Sequence, residues 1–252
     1  MNPFVLEACV DSVESALAAV KGGATRLELC SNLVIGGTTP GVSLFKQVRA
    51  CCDVPVHVLL RPRYGDFLYT EPEFQMVLED GEMLRALGAD GIVAGCLTAD
   101  GNLDLDRMEK LRKAAGNGHL TLHRAFDVCR DPFQALEEAV NIGADTILTS
   151  GQKDSAPEGA GLLKELTEKA GSRLAVMAGG GVCAGTIDLL AKECGIRNFH
   201  MSGKISLDSG MVFRKEGVNM GIPGLGEYTV FRTEESQIRA AREAIEKAVG
   251  YR

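Results

Sequence analysis

The sequence predicts an α/β fold, a (β/α)8 TIM barrel forming one domain over residues 1–252, with an irregular loop insertion at 205–233 and a closing helix at 234–250. Three observations lead there. One local pattern recurs: "KGGATRLEL", "ALGADGIVAG", "NIGADTILTS" and, more weakly, "ECGIRNFHMS" each end a helical run at glycine, the residue suited to a left-handed C-cap, and begin an apolar strand soon after. The glycines of these junctions, Gly23, Gly88, Gly143 and Gly195, lie roughly 50 to 65 residues apart, about twice one βα unit, so a further strand is expected between each pair. Finally, the alternation is even throughout and no GxGxxG follows the first strand, which leaves an open doubly wound sheet as the weaker alternative.

Each element follows in chain order. The first strand is "FVLEACV" (4–10), and "SVESALAAVKG" after it is an amphipathic helix. "RLELCS" (26–31) is the second strand, followed by a helix that carries Cys51 and Cys52. The third strand, "VPVHVLLRPR" (54–63), leads to the helix "EFQMVLEDGEMLRALG", and the fourth, near 91–98, to "LDRMEKLRKAAG". "HLTLHRAFDV" (119–128) and "PFQALEEAVNIG" form the fifth unit, and a strand at 146–151 with "GLLKELTEKAG" forms the sixth. "RLAVMAGGGV" (173–182) is the seventh strand, and the eighth lies near 198–204. Segment 205–233 is glycine-rich and breaks the rhythm before "EESQIRAAREAIEKAVG" closes the fold; a long loop of this kind is expected to cover a barrel mouth or a subunit contact.

Composition narrows the function. A chain of 252 residues that is 45% hydrophobic can bury a large core. Its net charge is -7, it has no Lys/Arg block, and aromatics make up only 5%, so neither a nucleic acid nor a basic membrane contact is expected. No stretch approaches the roughly 18 apolar residues of a membrane span. The start "MNPFVLEACV" has neither a basic nor an apolar leader region, which points to the cytoplasm. Eight scattered cysteines without CxxC favour reduced thiols. The expected partner is small, or another copy of the chain in a homodimer or higher homo-oligomer.

Strand parity then assigns faces. In a barrel, polar side chains point inward near the strands' C-terminal ends, where active sites sit. Parity sends Glu7 and Cys9 inward, then Glu28 and Cys30, His57 and Arg61, His123 and Asp127, and His200, Ser202 and Lys204. Glu7, Glu28, Arg61, His123 and Asp127 are the candidate catalytic groups. Gly179, Gly180 and Gly181 after the seventh strand, with Ser202 and Lys204 at the eighth, are candidate anion binders, because barrel enzymes often hold phosphate there. A bland alternative stays open, in which Glu28 with Arg61 and Glu7 with a histidine are internal ion pairs that plug the barrel. His119, at a strand's beginning, reads as structural.

Taken together, "EACVDSVESALAAVKGGATRLELCSNLVIGGTTPG", "RPRYGDFLY", "TLHRAFD", "ILTSG", "MAGGGV" and "SGMVFR" resemble the CutC family, from about residue 4 to Glu227-Tyr228. The resemblance implies a TIM barrel, a cytosolic location, a self-associating chain and a role in copper homeostasis, with Cys9 and Cys30 matching the family's Cu(I) ligands; in the copper reading, inward His123 or His200 is the candidate helper. Soft Cu(I) accepts thiolates, and adjacent strands bring two inward thiols close. The competing expectation is an enzyme of lyase, aldolase or isomerase type doing acid-base chemistry on a small anionic, phosphorylated substrate. Lys204 is the only lysine on an inward strand end, so metal-independent proton transfer is preferred over a Schiff base within that alternative.

Overall fold

A computed structural model describes residues 4–250. Eight parallel strands close into a barrel in sequence order: β1 (Val5–Val10), β2 (Arg26–Leu29), β3 (Val56–Leu59), β4 (Gly91–Ala94), β5 (His119–Leu122), β6 (Thr146–Thr149), β7 (Ala175–Ala178) and β8 (Asn198–Met201). Around them run α1 (Val13–Gly22), α2 (Val42–Cys51), α3 (Glu71–Ala86), α4 (Leu105–Ala115), α5 (Pro132–Ile142), α6 (Ala160–Ala170), α7 (Ala184–Glu193) and α8 (Glu235–Val249). The helix ends are written locally. Ser12 caps α1, and Thr70 with Glu73 forms a reciprocal capping box on α3. Gly23 and Gly143 take the left-handed conformation that ends α1 and α5.

The apolar core lies between the strands and the helices, where Phe45, Phe74, Phe126 and Phe199 are fully buried. A second, small cluster of Cys9, Cys30, Leu59 and Val93, with Leu33 against it, sits inside the barrel toward its mouth. Ladder register determines what meets there. Cys9 stands opposite Glu28, Glu7 opposite Arg26, and closure of β1 onto β8 sets Glu7 opposite His200. No helix among the described residues is long and apolar enough to cross a membrane.

Three strands are shorter than their apolar patterns suggest. β3 ends at Leu59, because the Arg61 N–H turns away to Thr39 Oγ1, at 3.0 Å. β5 ends at Leu122, after which His123 caps a 3-10 turn, Arg124–Val128, that carries Asp127. β8 ends at Met201, and Gly203, at φ +54°, redirects the chain. Beyond it the segment expected to be irregular is paired at both ends: β9 (Lys204–Asp208) and β10 (Thr229–Thr233) form an antiparallel two-stranded sheet outside the barrel. Lys204 thus begins a hairpin instead of ending the eighth barrel strand.

Candidate metal centre and binding cavity

The deepest polar group of the mouth end is Glu7. Its side chain is fully buried and accepts from Arg26 Nε at 2.5 Å and from His200 Nδ1 at 2.8 Å. Burial opposes the ionised carboxyl, but the Arg26 guanidinium and His200 outweigh it and hold Glu7 well below the usual carboxylate range. His200 is held charged well above its ordinary range: burial disfavours the imidazolium, and Glu28, Cys9 and Glu7 together override it. The histidine ion pair expected for Glu7 is therefore present. The pairing expected between Glu28 and Arg61 is not, because Glu28 follows the ladder toward Cys9 and His200.

Around His200 lies a cluster of candidate metal ligands. Cys9 Sγ is 3.5 Å from Glu28 Oε1 and 3.7 Å from Cys30 Sγ. Donor atoms of Cys9, Glu28 and His200 all lie within 4.8 Å of one another. The Cys9 thiol is pushed well above its ordinary range by its hydrogen bond with Cys30 and by burial. Burial also pushes the Glu28 carboxyl up to about 7, against the pull of His200, and its Oε2 has no hydrogen-bond partner.

Above this cluster opens a cavity of about 750 Å3. Of the sequence-predicted groups, Cys9, Glu28, Arg61, His123 and Asp127 line it, as do Gly180, Gly181, Ser202 and Lys204. Glu7 and Cys30 lie beneath it, and Gly179 is turned against Leu148, whose Cδ1 stands 2.5 Å from where a Cβ would be. Asp127 is a bracing group in this geometry. It accepts from Thr149 Oγ1, from the backbone N–H of Ser150 at 3.0 Å and of Gln152 at 3.2 Å, and from Arg124 Nε at 2.6 Å.

The wall formed by the β3 and β5 ends is built differently. Arg61 and His123 are both buried, with Phe67 between them: the Arg61 guanidinium is 5.1 Å from the Phe67 ring centroid and the Phe67 and His123 centroids are 4.8 Å apart. His123 Nδ1 accepts the Ala125 N–H at 3.2 Å, and burial with the nearby Arg61 charge pushes the ring down to about 3. Gly95 makes room for it, since a Cβ there would stand 2.7 Å from Nδ1.

One feature escaped sequence reading. Arg26 shares the inward parity of Glu28 and Cys30, so the alternation in "RLELC" could have found it. His57, sent inward by parity, and His119, read as structural, face each other with ring centroids 4.8 Å apart and planes tilted by 34°, both imidazoles kept neutral by burial and Arg26.

Comparison with known proteins agrees with this geometry. The CutC family profile matches residues 4–205. A family protein CutC of Chromobacterium violaceum is 48% identical over 244 residues, covering 97% of this chain and 99% of its own. The human copper homeostasis protein cutC homolog is 42% identical over 239 residues, covering 94% of this chain and 88% of its own. Among solved structures, CutC from Streptococcus agalactiae superposes with a TM-score of 0.76 at 30% identity, covering 79% of this chain and 98% of its own. By profile, by sequence and by fold, this chain belongs to the CutC family.

Proposed function

We propose that the protein takes part in copper homeostasis by binding one Cu(I) ion at the base of the cavity, through Cys9 and Cys30 with His200 as third donor. The observation that carries this reading is the pair of sulfurs 3.7 Å apart. With metal–thiolate bonds of about 2.3 Å, that separation corresponds to an S–metal–S angle of about 107°, bent enough to admit a third ligand. A linear pair would need sulfurs about 4.6 Å apart. Two thiols and an imidazole suit a soft ion. His200 Nδ1 is engaged by Glu7, which leaves Nε2 as its donor and fixes the ring. The Cys9 thiol, pushed up by its bond to Cys30 and by burial, enters protonated, and the charged His200 ring must release its Nε2 proton to ligate, so the ion displaces protons as it binds. Names of relatives such as the human copper homeostasis protein cutC homolog support the same reading. A cytoplasmic setting would keep the thiols reduced, and self-association as a homodimer or larger homo-oligomer belongs to the same proposal.

Competition with a chromophoric Cu(I) chelator tests it. Cys9→Ser and Cys30→Ser should each weaken binding strongly, whereas Cys51→Ser and Cys52→Ser, at the end of α2, should not. Equal binding by all four variants would mean that the ion adheres to thiols at large.

One observation favours a second reading, acid-base catalysis of lyase, aldolase or isomerase type. Glu28 titrates at about 7 with a free Oε2 at the floor of a cavity far larger than an ion. Exchange of solvent deuterium into a carbon acid, lost in Glu28→Gln, would identify it.

A further inference from the structure

The charge around the cavity does not balance. The whole chain carries -7. Yet Glu28 and Asp127 are the only carboxylates on the lining among the described residues; Asp127 is paired with Arg124 at 2.6 Å, and Glu28 faces the His200 charge at 3.6 Å. Arg61 and Lys204 remain without an acid. Lys204 is exposed and can be neutralised by water and salt. Arg61 cannot, because only 8% of it is accessible.

The neighbours of Arg61 give it shape and no counter-charge. Nη1 donates to the carbonyls of Ile35, Gly36 and Gly37 at 3.3 to 3.5 Å, and Nη2 donates to Gly65 at 2.7 Å. Carbonyl oxygens and the face of Phe67 orient the guanidinium, but a buried cation held by these alone lacks the anion that would offset its desolvation. Its Nε–H has no partner. Close by, His123 accepts at Nδ1, so its neutral ring carries the hydrogen on Nε2, and that N–H is also without a partner. Two buried donors, one of them cationic, thus lie on side chains lining one cavity, on either side of the Phe67 ring. Unsatisfied buried donors are rare and costly, and the least costly remedy for this pair is an anionic acceptor.

We propose that Arg61 and His123 form the anchoring end of a binding site for a small organic anion, whose carboxylate or phosphate group sits on these two N–H donors while the rest of the molecule occupies the cavity beside Phe67. The site lies at the ends of β3 and β5, beside the strand that leads to Cys30, and goes beyond the copper reading. It stands whether or not an ion occupies Cys9 and Cys30. A cavity of about 750 Å3 suits a metabolite-sized occupant, and the positive lining in a negative protein favours its entry.

The full chain, isotopically labelled, is titrated with succinate, with phosphoglycolate and with uncharged succinamide, and read by the Arg61 Nε–H resonance and by melting temperature. At least one of the two anions should bind saturably at millimolar concentration or below, and succinamide should not; which anion binds tells carboxylate from phosphate. Arg61→Lys keeps the charge but lacks the Nε–H, and should weaken binding about tenfold or more. His123→Gln should weaken it less, and Arg61→Lys should leave Cu(I) affinity unchanged. Circular dichroism establishes that both variants are folded. Failure of both anions to shift the native resonance, equal binding of succinamide, or native anion affinity in Arg61→Lys would each overturn the proposal. Because the copper measurement is separate, failure of one reading is distinguishable from failure of the other.

Discussion

Acidification from pH 6.5 to 5 should remove stability with a slope that steepens toward about 2.7 kcal/mol per pH unit as the unfolded-state histidines fill, a limit worked from side chains inside the barrel. The chain has four histidines, His57, His119, His123 and His200, and all stand on its strands or at their ends. Three are held neutral. Burial with the nearby Arg26 pushes His57 well below its ordinary range and His119 to about 4, and burial with Arg61 pushes His123 to about 3. In the unfolded chain each takes up a proton below about 6.5, and in the folded chain it does not, so acid favours unfolding by three protons. His200, raised above its ordinary range, is protonated in both states here and drops out. Glu28 acts in the opposite sense: burial raises its carboxyl to about 7 from 4.5, so in this window the folded state holds a proton the unfolded state lacks. Three minus one leaves two protons, each worth about 1.36 kcal/mol per pH unit. Urea unfolding at constant m-value, repeated from pH 7 to 5, reads the slope. Glu28→Gln should steepen it toward about 4 kcal/mol per unit, and His123→Gln should flatten it toward about 1.4. A slope near zero, or one that neither substitution moves, would refute the assignment of charge states.

Two further outcomes follow from contacts already described. Glu7→Gln strands Arg26, only 7% accessible, without its carboxylate, and should destabilise the protein by about 3–5 kcal/mol in chemical denaturation; a loss below about 1 kcal/mol would mean the pair is dispensable. Gly95→Ala would press a methyl to 2.7 Å from His123 Nδ1 and 2.9 Å from Ala125 Cβ, an overpacking that should cost about 1–3 kcal/mol and shift the His123 ring resonances.

How far the sequence could be read depended on what kind of constraint each residue answers to. The glycine-ended helices and apolar strands gave the barrel because capping and burial are local rules, and Gly23 and Gly143 adopt the left-handed caps that their junctions predict. Parity also worked within strands, bringing Cys9 and Glu28 side by side and turning His200 toward them. It ran out at strand ends. Arg61, His123 and Asp127 reach the mouth from turns whose course depends on distant partners, such as the Thr39 hydroxyl for Arg61 and the Ser150 amide for Asp127. No period of two encodes those. Which histidine meets Glu7 was also illegible, because Glu7 acquires His200 only through barrel closure across nearly the whole chain.

The β9–β10 hairpin begins and ends at one place. Its two stems are held to the barrel side by Glu234 N–H on the Gly203 carbonyl, by Thr233 Oγ1 on the Ser202 carbonyl, and by Thr233 N–H on Ser15 Oγ. An excursion stitched at its own base transmits neither tension nor register to the strands on either side, and lengthening a loop between fixed ends costs little entropy. The barrel and α8 can therefore keep their fit if residues 209–228 are lengthened, shortened or replaced. The family profile ends at residue 205, at the start of this excursion. Mechanically, the arm is a part that can be altered without disturbing the chemistry at the barrel's mouth.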